Sequence, residues 1–242
     1  MRWPSRWNSV LSADALAVPP AVILCGGRGT RIAAIAQGLP KSMLPIAGEP
    51  FLARLIDRMS AWGVDRFVLC TGAGADAIAR WVDGLGVDRS AIRLMEDRVV
   101  GGTLSPVRRA FKALDLEEAL IVNGDTMVYG DVGAVVTLPL GPAELCRIGM
   151  TPVDDTERFG RLEVEDGRLR AVRRGVAGPG FASNGMIRAR VGLFDHATSE
   201  MTGIEELVAA AAASGGVTVA RAGDQFIDIG TPSDYAALRD GV

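Results

Sequence analysis

Ala21-Val22-Ile23-Leu24-Cys25-Gly26-Gly27-Arg28-Gly29-Thr30-Arg31 is the stretch on which the fold turns. Its first five residues are short, uniformly apolar and stopped by two glycines, the pattern of a strand buried on both faces. The chain then alternates. Pro50 to Trp62 carries Phe51, Leu52, Leu55, Ile56 and Met59 at helical spacing, with Gly63 as the stop. Strand-like runs follow at Arg66 to Cys70, Ala91 to Met95 and Ala119 to Val122, separated by helices over Ala75 to Val82 and Pro106 to Leu114. Strand and helix alternating through short links predict an α/β fold: a Rossmann-like three-layer α/β/α arrangement on a mostly parallel mixed sheet. Such folds bind ligands at the carboxyl ends of their strands, so the loops after Cys25, Cys70, Met95 and Val122 come first.

Downstream of residue 140 the pattern changes. Gly149 to Val153 reads as a strand. Gly160 to Val164 and Arg168 to Val172 flank Asp166-Gly167 and predict an added β-hairpin. Gly203 to Ala213 reads as a helix, and Val217 to Ala220 and Gln225 to Ile229 as short strands. Thr231-Pro232-Ser233-Asp234 is a start signal for a last helix over Tyr235 to Arg239. No internal repeat or low-complexity linker interrupts the chain. Residues 1–18 are expected to be an N-terminal extension and 19–242 a single domain, with Asp14 breaking the apolar core that a signal peptide needs.

The 242 residues are 48% apolar, enough for a sizeable core, and carry a net charge of −3. That balance argues against nucleic acid as a partner, which needs a basic surface. No run approaches the roughly 18 apolar residues of a membrane span. Cys25, Cys70 and Cys146 sit inside apolar stretches without metal-binding spacing, as buried thiols in a reducing, cytoplasmic setting would. The single His196 has no neighbouring nucleophile or second ligand and reads as structural or surface. A homo-oligomer is neither demanded nor excluded.

After the first strand, Gly26, Gly27 and Gly29 let backbone N–H groups approach a phosphate closely, while Arg28 and Arg31 add charge and Thr30 a hydroxyl. The spacing is neither the dinucleotide fingerprint nor a P-loop. Alone, the run reads equally as a turn with solvated cations. Pro40-Lys41-Ser42-Met43-Leu44-Pro45 presents a second, rigidly held cation. Asp125 stands just past an apolar strand and Asp228 inside another. A carboxylate so placed needs a partner, because burying an isolated charge is costly. A hard cation such as Mg²⁺, which takes one or two carboxylates plus substrate phosphates, is one answer. A cap or turn role for Asp125 and a salt bridge for Asp228 are others.

The ordered set Gly-Gly-x-Gly-Thr-Arg and Pro-Lys-x-Met-x-Pro, followed by Asn123-Gly124-Asp125, Ser183-Asn184-Gly185-Met186 and Phe226-Ile227-Asp228-Ile229-Gly230-Thr231-Pro232-Ser233-Asp234-Tyr235, resembles the sugar-phosphate nucleotidyltransferase family from about Val22 onward. The resemblance implies an enzyme that joins an NTP to a sugar 1-phosphate, releasing pyrophosphate. It implies Arg31 on the β,γ-phosphates and Lys41 on the α-phosphate and sugar phosphate. Leu24, Gly26, Gly27, Gly29 and Thr30 would hold the nucleotide, and Asp125 and Asp228 would hold Mg²⁺. Asn123, Gly124, Gly160, Asn184 and Gly185 would face the sugar.

Two segments depart from the pattern. A Glu-Lys pair that many relatives carry after the hairpin is replaced by Ala171-Val172-Arg173-Arg174-Gly175, so Arg173 or Arg174 supplies the charge, or the pair is a solvated basic turn. The Leu-Gly-Thr run near the base becomes Glu96-Asp97-Arg98-Val99-Val100-Gly101-Gly102-Thr103-Leu104. Gly101, Gly102 and Thr103 are expected to line the base. Glu96 or Asp97 would accept hydrogen bonds from a guanine edge. The closing segment looks most like the heptose 1-phosphate guanylyltransferase branch, which implies GTP and a heptose 1-phosphate.

Overall fold

A computed structural model describes residues 18–27, 29–85, 91–96 and 102–240. In chain order the elements are β1 (Ala21–Leu24), α1 (Ala33–Ala36), β2 (Pro45–Ile46), β3 (Glu49–Pro50), α2 (Phe51–Ala61), β4 (Phe67–Thr71), α3 (Ala75–Gly84), β5 (Ile92–Glu96), α4 (Leu104–Ala113) and β6 (Glu118–Asn123). Then come β7 (Thr126–Tyr129), α5 (Gly133–Val136), β8 (Cys146–Val153), β9 (Arg161–Glu165), β10 (Arg168–Arg173), β11 (Gly180–Arg190), α6 (Ile204–Ala213), β12 (Val217–Arg221), β13 (Gln225–Asp228) and α7 (Pro232–Asp240).

Nine strands form one sheet in the order β5-β4-β1-β6-β11-β8-β12-β10-β9. β1 lies between two parallel neighbours, with Ile23 opposite Leu69 on one side and Val122 on the other. Following the pairings across, β11 and β10 run against the other seven strands. The sheet is therefore mixed but mostly parallel, as the alternation of elements predicts.

Side chains alternate across β1, and the two faces feed two cores. Ala21 and Ile23 point to the side covered by Phe51, Leu52, Leu55 and Ile56 of α2, Ile78 of α3 and Leu238 of α7. Val22 points to the side covered by Val107 and Phe111 of α4 and Leu207 and Val208 of α6. These are the three layers expected. All three cysteines are buried in these cores. No helix among the described residues is long and apolar enough to cross a membrane.

The hairpin forms where its turn residues demand it. Asp166 and Gly167 have φ of 50° and 72°, the paired left-handed conformation of a tight two-residue turn, and β9 and β10 zip together around them. The last helix starts earlier than the expected Tyr235, at Pro232, because proline suits a first helical position. Besides the two-residue strands β2 and β3, two longer strands lie outside the sequence expectations. β7 follows directly on Asp125, and β11 is the longest strand in the sheet. β11 reads Gly-Phe-Ala-Ser-Asn-Gly-Met-Ile-Arg-Ala-Arg, and its pairing with β8 is irregular between Ser183 and Ile187. Neither alternation nor a continuous apolar run marks it. Residues 1–17 of the expected extension lie outside the described residues. Val18 packs against the first core.

Candidate active site

The glycine-rich loop leaves β1 at the carboxyl edge of the sheet, and β6 ends beside it. There Gly124 donates its N–H to the carbonyl of Leu24 at 3.0 Å. A Cβ at Gly124 would stand 2.6 Å from that carbonyl oxygen, so the close approach needs glycine. The crossing sets Asp125 next to the loop. Lys41 opens a short 3₁₀ turn after the buried Pro40, and its stem lies against Gly29. Its Nζ reaches Asp125 Oδ2 at 3.1 Å, with 15% and 29% of the two side chains exposed.

Asp228 arrives by strand pairing. β13 runs antiparallel to β7 with Asp228 opposite Thr126, and Ile229 donates its N–H to the Asp125 carbonyl at 3.0 Å. The two carboxylates are thereby neighbours. Burial, and then the negative charge of Asp125, push the Asp228 carboxyl above its usual range. Arg158, Lys41 and the Gly230 N–H act in the opposite direction. Two carboxylates that raise the cost of each other's charge, with a lysine and an arginine beside them, can take a hard cation and oxyanions together. Among the described residues no group of three or more His, Cys, Asp or Glu side chains forms a closed metal cage. A two-carboxylate site completed by ligand oxygens is the kind that fits here.

The other expected residues fall into place unevenly. Gly26 and Gly27 follow β1, Gly27 being exposed. Arg31 is exposed on the turn Thr30–Ile32. The Arg28 contribution and the expected base-side Gly101 and Asp97 lie outside the described residues, as does the side chain of Thr30. Glu96 ends β5, where Arg109 donates to its carbonyl. Gly102 packs on the Thr202 carbonyl. The Thr103 hydroxyl accepts the N–H of Ile204 at 2.8 Å, so it holds the start of α6.

Among the residues expected to face the sugar, the Asn123 amide at the end of β6 lies against Gly185. Gly160 stands at the base of the hairpin, close to Val172, Arg173 and Arg174. Arg173 pairs with Glu163 at 3.0 Å, and 62% of its side chain is exposed. That is the solvated alternative considered for it. Asn184, expected on the sugar side, lies buried. It is 1% exposed and donates to Thr151 Oγ1 and the Ala222 carbonyl while accepting from the Met186 N–H. Its amide is consumed in joining β11 to β8 and to the turn after β12.

Two site residues escape the sequence reading. Arg158, between β8 and β9, meets both Asp228 and Asp234, and Asp234 lies in the first turn of α7. Burial opposes ionisation of Asp234, but the Arg158 fork and the hydroxyl and N–H of Thr231 outweigh it and hold the carboxyl below its usual range. Loop arginines carry no periodic signal, so nothing in the pattern marks Arg158.

Comparison with known proteins adds the family context. Residues 21–132 match the model of the MobA-like NTP transferase domain. The chain is 27% identical over 222 residues to D-glycero-alpha-D-manno-heptose 1-phosphate guanylyltransferase of Aneurinibacillus thermoaerophilus, covering 89% of this chain and 94% of that one. It is 27% identical over 220 residues to the protein of the same name from Campylobacter jejuni, covering 89% and 96%. Among solved structures, HddC from Yersinia pseudotuberculosis complexed with GMP-PN superposes with a TM-score of 0.73 at 24% identity, over 92% of this chain and 99% of that one. The last likeness is one of fold.

Proposed function

We propose that this chain, whose residues 21–132 match the MobA-like NTP transferase domain, is a sugar-1-phosphate nucleotidyltransferase that transfers guanylate from GTP to a heptose 1-phosphate with Mg²⁺. The observation that carries the reading is the meeting of Lys41, Asp125 and Asp228 beside the Gly26-to-Arg31 loop. The two guanylyltransferase relatives support the choice of base and sugar.

In this reaction an anionic oxygen of the sugar phosphate attacks the α-phosphorus of the nucleotide. The new O–P bond forms as the bond to the bridging oxygen breaks, and pyrophosphate leaves. The nucleophile already carries its charge, so no side chain has to remove a proton. The barrier is the approach of two polyanions and the charge on the leaving group, so positioning and electrostatics decide the rate. Lys41 neutralises the α-phosphate and the incoming sugar phosphate. Arg31, exposed on its turn, takes the β,γ-phosphates. The loop glycines offer N–H groups to the triphosphate. Asp125 and Asp228 hold Mg²⁺, which when bound screens the phosphate charges. Glu96, at the end of β5, accepts from the guanine edge.

The test is pyrophosphate release across GTP, ATP, CTP, UTP and dTTP against hexose and heptose 1-phosphates. GTP with a heptose 1-phosphate should give the highest kcat/KM. Preference for another pair corrects the substrates and leaves the reaction class standing. Lys41→Ala and Asp125→Asn should each reduce kcat/KM by at least a hundredfold, on the order of 3 kcal/mol in transition-state stabilisation, while remaining folded. Near-normal turnover by either variant overturns the site.

A further inference from the structure

We infer that Arg158 is a positioning residue that fastens Asp228, and with it the loop leading to Gly160, to the first turn of α7. The inference rests on the assignment of Asp228 to the cation, and it adds a residue that neither the sequence pattern nor the reaction chemistry requires.

The guanidinium makes two bonds to one carboxylate: Nη1 to Asp234 Oδ1 at 3.0 Å and Nη2 to Asp234 Oδ2 at 2.8 Å. This is the parallel fork that only arginine forms. Nη2 also stands 3.4 Å from Asp228 Oδ1. The asymmetry assigns the roles: Asp234 is the anchor, and Asp228 is the group being held. Asp234 is itself fixed, since Oδ2 accepts the Thr231 N–H at 3.1 Å and the Thr231 hydroxyl. On its other side the guanidinium lies 5.0 Å from the Phe159 ring centroid, and Phe159 packs edge-on against Phe226 at 4.9 Å. Phe226 and Asp228 are two residues apart on β13 and so share a face.

These contacts close a circuit through three segments: the loop after β8, the strand β13 and the start of α7. Together with the Gly230 N–H, the arginine restricts rotation of the Asp228 carboxylate against the repulsion of Asp125. The same arginine fixes the residue two positions before Gly160, where the hairpin begins. Geometry at the cation and on the sugar side is therefore set by one side chain.

The experiment uses the full chain, with Mn²⁺ as probe and the signal of free Mn²⁺ in electron paramagnetic resonance as the readout of binding without turnover. Arg158→Lys keeps the charge and loses the fork. Asp234→Asn keeps a helix-capping side chain and loses the anchor. Each should weaken Mn²⁺ binding about tenfold and raise the KM for sugar phosphate while moving the KM for nucleotide less than twofold. The double variant should be no worse than either single one, because both break the same circuit. Thermal melts verify folding, and either variant alone suffices if the other fails to fold. Mn²⁺ binding by Arg158→Lys or Asp234→Asn within twofold of the unaltered protein overturns the inference. Asp228→Asn separates the two claims: if it retains Mn²⁺ binding, the cation assignment itself falls.

Discussion

Gly124 places the strand-end carboxylate by having no side chain, and its replacement tests that placement directly. In Gly124→Ala the added methyl would have to move the Leu24 carbonyl, 2.6 Å away, and the Cys25 sulfur, 3.1 Å away. The expected cost is about 2 kcal/mol of stability, read by urea denaturation, with turnover lost even in the folded fraction. Glu144 makes a second residue-scale case, away from the site. Burial raises its carboxyl, but bonds from the Thr218 hydroxyl, the Gly141 N–H and Arg147 prevail and hold it below its ordinary value of 4.5. A lowered carboxylate stabilises the fold above pH 4.5, and that contribution fades as the pH falls through 4.5 toward the lower folded value. Glu144→Gln should therefore be less stable at pH 7 by about 2 kcal/mol, because Arg147 keeps the Ala134, Leu138 and Pro139 carbonyls but loses this counter-charge, and the gap should narrow below pH 4 in acid-unfolding curves. Legibility in the sequence follows the same physics. Asp125 and Asp228 stand out because a carboxylate against buried apolar residues demands a partner, and Lys41 because prolines flank its segment. Arg158 does not, because a loop arginine is ordinary until the fold supplies its two acids. The inward turn of Asn184 is not legible because sequence does not tell which way an amide points.

At the scale of elements, the hairpin depends on its turn. Gly167→Ala forces a side chain into a left-handed conformation and should cost about 1 kcal/mol in urea denaturation. Because the tip is far along the strands from Gly160, kcat should remain within twofold; a larger fall would mean that the tip itself touches substrate. The hairpin was readable because Asp-Gly flanked by alternating residues admits few other structures. The short apolar strands β1, β4 and β6 were readable because both of their faces are buried. β11 was not. It sits between β6 and β8, but alanine, glycine and serine fill four of its first six positions, and its ladder is interrupted where Asn184 turns inward. An element specified by its neighbours leaves little trace in its own residues. The helices α2 and α4 show the opposite case, with one apolar stripe each that places them on opposite faces of β1.

At the scale of the molecule, both cores press on the same sheet, from opposite faces, and β11 and β8 join the parallel half of that sheet to the rest. We propose that residues 19–242 unfold as one cooperative unit. Far-UV circular dichroism and tryptophan fluorescence should then report a single, coincident transition in urea. Separate midpoints would divide the chain into two domains. The C-terminal helix has a further bearing on this unit. Tyr235 donates its hydroxyl to the Pro45 carbonyl at 2.7 Å, just past the lysine turn, and Asp234 anchors Arg158. During translation, the glycine-rich loop is made early, while the residue that anchors the arginine follows roughly two hundred codons later. A nascent chain thus carries its glycine-rich loop long before the first turn of α7 can dock and brace Arg158, and full activity waits on that docking.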